Sequence, residues 1–156
     1  MEQNYTDTIK MRGSIRMLLK NLMGEQVQEI NVNNLLVTAG RAWILGQLES
    51  VNINTNLTVS ALAIGSNTNA PATSDTALGN EVTRKTIATF STSGLTNNPP
   101  SFQAQVSFAT NEGNTTLAEV GLFNSASAGT MIAHATFTSF VKATSNTLAI
   151  SYTISG

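Results

Sequence analysis

Few residues in this chain have side chains that do chemistry. There is one histidine, His134, no cysteine, and beyond residue 50 only four carboxylates: Asp75, Glu81, Glu112 and Glu119. Without cysteine there is no disulfide, no thiolate zinc site and no cysteine nucleophile. One histidine cannot supply the His-rich shell of a catalytic zinc. His134 has Ile132 and Thr136 two residues to either side rather than an acid, so it reads as a structural strand residue. Strict alternation places it on the face opposite Met131 and Phe137. A glycosidase needs two carboxylates facing each other across the scissile bond. Glu112 falls in a turn and Glu119 in the strand that follows, and their spacing does not set them opposite each other. Glu119, an acid inside an apolar strand, reads as the partner of a backbone turn or of a base such as Arg84. Gly65-Ser66-Asn67-Thr68 follows an apolar strand as a phosphate loop does, but the Gly-Lys-Ser/Thr ending and the following helix are missing. No catalytic residue, cofactor site or metal site is therefore expected. Lys10, Arg12, Arg16 and Lys20 line one side of a single stretch. With no aromatic residues interleaved, they suit a docking face better than a nucleic-acid surface.

The chain that must position these groups has 156 residues, of which 41% are hydrophobic. That suffices for one core in one domain. The charged fraction is 11%, less than half the usual level of about 25%. Asn, Ser and Thr number 17, 15 and 22 and take over the task of solvating the surface. A net charge of −1 argues against electrostatic capture of nucleic acid or of an anionic membrane. The apolar runs are too short for a transmembrane helix, and Met1-Glu2-Gln3-Asn4-Tyr5 lacks the pattern of a secretory leader. Charge is uneven: residues 1–50 carry five positive and five negative groups, the rest only three and four.

The dominant hydrophobic period is two, the signature of strands. Ile9, Met11, Gly13, Ile15, Met17 and Leu19 alternate with Lys10, Arg12, Ser14, Arg16, Leu18 and Lys20. Asn21-Leu22-Met23-Gly24 predicts a turn with Gly24 at positive φ, and Val27–Val32 a return strand. One short helix is predicted near residues 38–49, capped by Thr38, with a stripe of Ala42, Leu45 and Leu48 widened by Trp43 and Ile44. Gly40 and Gly46 weaken it. A strand from Leu57 to Ile64 is apolar on both faces. Residues 65–77 form a polar loop. Further strands are predicted at 82–90, 102–108, 117–124, 131–137 and 148–154, with Gly121 a bulge or close approach. About eight strands at this spacing give an all-β fold, a small antiparallel β-sandwich of jelly-roll-like type. Residues 1–156 read as one domain, with 1–50 as an N-terminal docking hairpin plus helix.

Three stretches carry a resemblance to a known family. Asn33-Asn34-Leu35-Leu36-Val37-Thr38-Ala39-Gly40-Arg41 is similar to an Asn-Leu-Val-Thr-x-x-Gly-Arg helix entry. Ala63-Ile64-Gly65, Ala70-Pro71, Asp75-Thr76-Ala77-Leu78-Gly79-Asn80-Glu81 and Arg84 follow a second pattern. Glu119-Val120-Gly121-Leu122-Phe123-Asn124, Gly129-Thr130-Met131, Phe137, Lys142 and Thr147-Leu148 follow a third. Together these resemble small bacteriophage virion proteins of the tail-fibre or tail-collar-like kind. Asn67 stands where the family's Ile-Gly-x-Gly turn has its second glycine, and Asn tolerates positive φ.

The resemblance implies a non-enzymatic structural protein of a tailed phage particle, assembled in the bacterial cytoplasm. It would be a short fibre or adaptor, since no repetitive shaft follows Gly156. It implies a homo-oligomer, a trimer by analogy with phage fibres, partnered by other virion proteins. Lys10, Arg12, Arg16 and Lys20 become its docking face, Arg84 and Glu119 a structural ion pair, and loop 65–77 a surface or inter-subunit element. The alternatives are a capsid decoration protein and a carbohydrate-binding module whose partner is a host glycan.

Overall fold

The computed structural model describes residues 10–49, 59–91 and 93–156. Among them run β1 (Arg12–Asn21), β2 (Gln26–Asn33), β3 (Leu35–Leu36), α1 (Thr38–Glu49), β4 (Ala61–Gly65), β5 (Glu81–Thr86), β6 (Thr89–Ser91), β7 (Ser101–Phe108), β8 (Thr116–Phe123), β9 (Met131–Val141) and β10 (Asn146–Ser155). Two five-stranded sheets result, in the orders β2-β1-β10-β7-β6 and β3-β9-β8-β4-β5. Every pairing is antiparallel. This is the all-β sandwich that the period-two patterning predicts. The strands number ten rather than about eight for two reasons. The two-residue β3 is too short to show alternation, and the run 82–90 divides between the sheets. Its switch point is Ile87, buried in the core, where the Ile87 and Ala88 amides donate to the Ser60 and Gln105 carbonyls at 2.9 and 3.1 Å. Ile9 and Leu57, the expected starts of two strands, lie outside the described residues.

The first sheet is apolar on one face only. Ile15, Met17 and Leu19 of β1 point inward while Arg12, Ser14 and Arg16 face out. Val106, Phe108, Leu148, Ile150 and Ile154 continue that inner face. Leu62, Ile64, Leu117, Val120, Leu122 and Ile132 of the second sheet meet them. Each such side chain contributes about 1.5–3 kcal/mol on full burial. The Tyr152 hydroxyl is buried there with no hydrogen-bond partner, beside an Asn34 side-chain carboxamide that also lacks one.

The centre of the second sheet, β4 with most of β8 and the first half of β9, is buried on both faces, as the doubly apolar β4 predicts. Its outer face carries Ala61, Ala63, Phe123 and Met131, covered by Val37, Ala39 at the start of α1 and Leu78 from the 66–80 loop. The Thr38 amide donates to the Thr73 carbonyl at 2.7 Å, tying helix entry to that loop. Gly24 has φ 81°, as its turn demands.

Helix α1 forms where expected but turns a different face inward. Trp43 and Ile44 pack on the core, whereas Ala42 and Leu45 are exposed. The predicted Ala42-Leu45 stripe is therefore wrong, and the side chain of Leu48 is outside the described set. Gly40 supplies the reason. It is buried against the backbone of Ile132 in β9, and the residues three and four positions on, Trp43 and Ile44, share its face. The first helical hydrogen bond runs from the Arg41 amide to the Val37 carbonyl at 3.0 Å. Val37 is thus the N-cap and Thr38 the first helical residue, so Thr38 does not cap the helix as expected.

Candidate functional site

The chain's one histidine sits at the centre of its most developed polar cluster, on the outer face of the second sheet. Glu119 in β8 and His134 in β9 come from neighbouring strands, in register opposite Thr136 and Gly121 respectively. An irregularity at Leu122/Phe123 leaves Met131 opposite Phe123 and Ala133 opposite Leu122. That extra residue breaks the alternation, so Met131 and His134 share the outer face and are not opposed as predicted. The 66–80 loop then crosses above them. Glu119 is fully buried. Its Oε1 accepts from the Asn67 and Asn80 amides at 3.1 and 2.8 Å, and its Oε2 from the Gly79 amide at 2.9 Å. His134 Nε2 lies 3.1 Å from the same Oε2, and His134 Nδ1 lies 2.8 Å from Asp75 Oδ2. Asp75 Oδ2 also accepts from the Ala72 amide at 2.8 Å.

This arrangement fastens a loop. All four acceptor positions of the Glu119 carboxylate are filled. Gly65 makes room for it, because a Cβ there would collide with Glu119 and with the Asn80 carbonyl. Both ring nitrogens of His134 face carboxylates, so neither is open to act as a base or nucleophile. Both contacts are hydrogen bonds only when each nitrogen carries a hydrogen. The two carboxylates lie on separate ring nitrogens rather than around a common point. Among the described residues no group of three or more His, Asp or Glu side chains is placed to hold a metal ion. The one signal of this site in the sequence is the presence of single polar residues, Glu119 and His134, in otherwise apolar strands. Asp75 is marked only by its place in the family resemblance, which does not say what it bonds.

The Asp75 carboxyl is held below its ordinary value of 3.8, first by the Ala72 amide and then by His134. A carboxyl depressed in the folded state stabilises above its unfolded value, and that contribution is lost as pH falls through the folded value. Loop 66–80 should therefore lose protection, measured against the intrinsic exchange rate at each pH, as pH is taken below the ordinary carboxylate range. Asp75→Asn should flatten that part of the profile, as hydrogen exchange followed by mass spectrometry would show. An unchanged profile in the variant would remove Asp75 from the latch.

Arg84 and Glu119, expected as an ion pair, do not meet. The Arg84 Nε and Nη2 donate to Glu81 at 3.0 and 2.6 Å, its Nη1 donates to the Ser125 and Ala128 carbonyls, and its guanidinium lies 3.6 Å above the Phe123 ring. Strand β4 lies between β5 and β8, which puts the two residues about 10 Å apart in the sheet. The acceptor positions of Glu119 are also already full. Asn67, which could tolerate positive φ, does not adopt it; Ala128 is the non-glycine residue that does, among those described. Asn67 instead donates its amide to Glu119, and its side-chain oxygen accepts from the Asn69 amide at 3.1 Å.

The four cations of the expected docking face separate. Arg16 donates to Glu29 of β2 at 2.8 and 3.1 Å. Lys10 and Arg12 join Arg41 of α1 around a groove of about 670 Å³. Lys20 lies at the far end of β1. A buried lysine was missed: Lys142, 1% exposed, donates to the Ala109 carbonyl and Asn114 Oδ1 at 2.7 and 2.9 Å. Burial holds its ammonium below the usual value, with nearby Glu112 opposing. Glu112 bonds Lys85 at 2.6 Å, so it forms no catalytic pair with the sealed Glu119. Among the described residues the exposed large apolar side chains include one aromatic, Phe90. It belongs to β6 of the first sheet, not to the 65–77 loop.

A family model described as phage tail-collar fibre protein, N-terminal, matches residues 20–154. No curated protein and no solved structure matches the chain. The matched span runs from the end of β1 through β10 and includes Asp75, Glu119, His134 and all the residues they tie down. The chain belongs to the phage tail-collar fibre protein family, in its N-terminal domain, and is a structural protein of a phage tail.

Proposed function

We propose that the chain is a short-fibre or adaptor subunit of the tail that has no enzymatic activity and works by assembling, as a homotrimer, with other virion proteins. The observation that carries this reading, beyond family membership, is the groove between β1 and α1. Its lining is apolar, from Met11, Leu36, Ile44 and Leu45, and its rim is basic. An apolar patch bordered by charge is the usual form of an assembly surface. The polar cluster supports the same reading, because it spends the reactive side chains on holding a loop. The absence of exposed aromatics beside that loop among the described residues disfavours the sugar-binding alternative, since glycans stack on such rings. A capsid decoration protein would share the assembly logic, but the family is one of tail fibres.

Light scattering on the purified chain should give the mass of a trimer, and peptides of the chain should be found by mass spectrometry in purified tails assembled in the host cytoplasm. A clean monomer would overturn the trimer. Detection in capsids stripped of tails would favour decoration instead.

A further inference from the structure

Two surface features on opposite ends of β1 complement each other. One is the groove, whose rim carries Lys10, Arg12 and Arg41 and, among the described residues, no carboxylate. Leu45 on its wall is 64% exposed. Arg16, Arg84 and Lys85 each meet a glutamate, but among the described residues none of the three rim cations has an ion-pair partner. The other is the turn joining β1 to β2. Turns normally hold small polar residues, yet here Leu22 and Met23 are 74% and 86% exposed. The turn is bonded rather than loose. Asn21 Oδ1 accepts from the Met23 and Glu25 amides at 3.0 and 2.9 Å, and the Asn21 amide donates to the Glu25 carbonyl at 3.0 Å. The exposed carboxylate beside the pair is Glu25, one oxygen of which accepts from the Asn21 side chain at 2.7 Å. Lys20, the neighbouring cation, is half-buried along β1.

We propose that the Leu22-Met23 turn of one copy inserts into the β1–α1 groove of a second copy, with Glu25 set against the Lys10, Arg12 and Arg41 rim. This rests on the homo-oligomer reading above and gives it a contact. A two-fold pairing of grooves is disfavoured because it would press three cations against three. Knob and groove lie at opposite ends of a ten-residue strand, about 30 Å apart, so a chain does not fill its own groove with its own knob. The contact is therefore heterologous, head to tail, and closes into a ring when the rotation between copies permits. Three copies then lie as the sides of a triangle.

Mixing variants of the full chain tests this directly. Leu22→Ser with Met23→Ser removes the knob and leaves the groove. Arg41→Glu with Leu45→Ser spoils the groove and leaves the knob. All four positions are exposed, so circular dichroism should match wild type. Each variant alone should self-associate about tenfold more weakly or worse, as loss of an apolar anchor or a rim charge requires. An equimolar mixture should form a one-to-one dimer in sedimentation, because one good knob and one good groove remain. If the wild type is a trimer and either variant stays one, the contact is overturned while the homotrimer stands. If the two variants stay monomeric on mixing, the contact is overturned too. A monomeric wild type overturns both, and detection of the chain in tails remains a separate test of its place in the particle.

Discussion

Replacing Glu119 with alanine is expected to cost about 3–5 kcal/mol, the usual penalty for removing one partner of a buried charged cluster. The carboxylate is wholly buried. Its loss would leave the Asn67, Gly79 and Asn80 amides and His134 Nε2 without their acceptor. Each buried donor left unpaired costs about 1–3 kcal/mol unless the structure opens to water. Opening is the cheaper course, because the 66–80 loop lies at the surface and can lift. The expected result is a partial release: a midpoint about 10 °C lower, at 2–4 °C per kcal/mol for a chain this long, with fast hydrogen exchange confined to loop 66–80. Glu119→Gln should fall between, since its carboxamide keeps one acceptor oxygen and turns an NH2 toward other donors. Glu29→Ala, at an exposed ion pair, should leave the midpoint near wild type. Urea denaturation of the three variants settles the matter. Glu119→Ala within 1 kcal/mol of wild type would mean that the loop is held by Leu78 and the Thr38–Thr73 bond instead.

The parts of this latch were visible in the sequence, but their assembly was not. Period-two alternation places β1, β7 and β10 and their inward faces, because each is one half-buried strand with its pattern intact. It fails at His134, where an extra residue in β9 reverses the parity. It fails at Arg84, because ion-pair partners depend on which strand lies between them, and strand order is not encoded in local pattern. Gly65-Ser66-Asn67-Thr68 is no phosphate loop, and of its four residues Asn67 alone gives its amide to Glu119. Backbone amides at Asn67, Gly79 and Asn80 do surround an anion, the chain's own Glu119. The residues that carry the family resemblance also converge. Gly65, Asp75, Leu78, Gly79, Asn80 and Glu119 belong to one latch, and Arg84 with Phe123 pins the adjoining 124–130 turn. Lys142 was hidden because its acceptors are a carbonyl and an amide, which leave no charge pattern.

Helix α1 offers a test in which propensity and packing predict opposite signs. Gly40 and Gly46 lie in the same helix. By intrinsic propensity alone, alanine at either should stabilise by about 1 kcal/mol. At Gly46 nothing among the described residues lies within 4 Å of an added Cβ, so that gain should be realised. At Gly40 the added Cβ would fall among backbone atoms of Ile132, closer than real Cβ atoms come. Strand β9 cannot yield there, because Ala133, the next residue, is paired with both Leu36 and Leu122. The helix must therefore move outward, and overpacking of this kind costs about 1–3 kcal/mol or more. Outward movement would also pull Trp43 and Ile44 off the core and stretch the Thr38–Thr73 bond. Together these outweigh the propensity gain, so Gly40→Ala is expected to destabilise by about 2–4 kcal/mol while Gly46→Ala stabilises. Thermal unfolding of both variants reads the difference. If Gly40→Ala proves as stable as Gly46→Ala, α1 does not rest on β9 at Gly40. The groove wall formed by Ile44 and Leu45 would then lose its fixed position, and with it the shape the inserted turn requires.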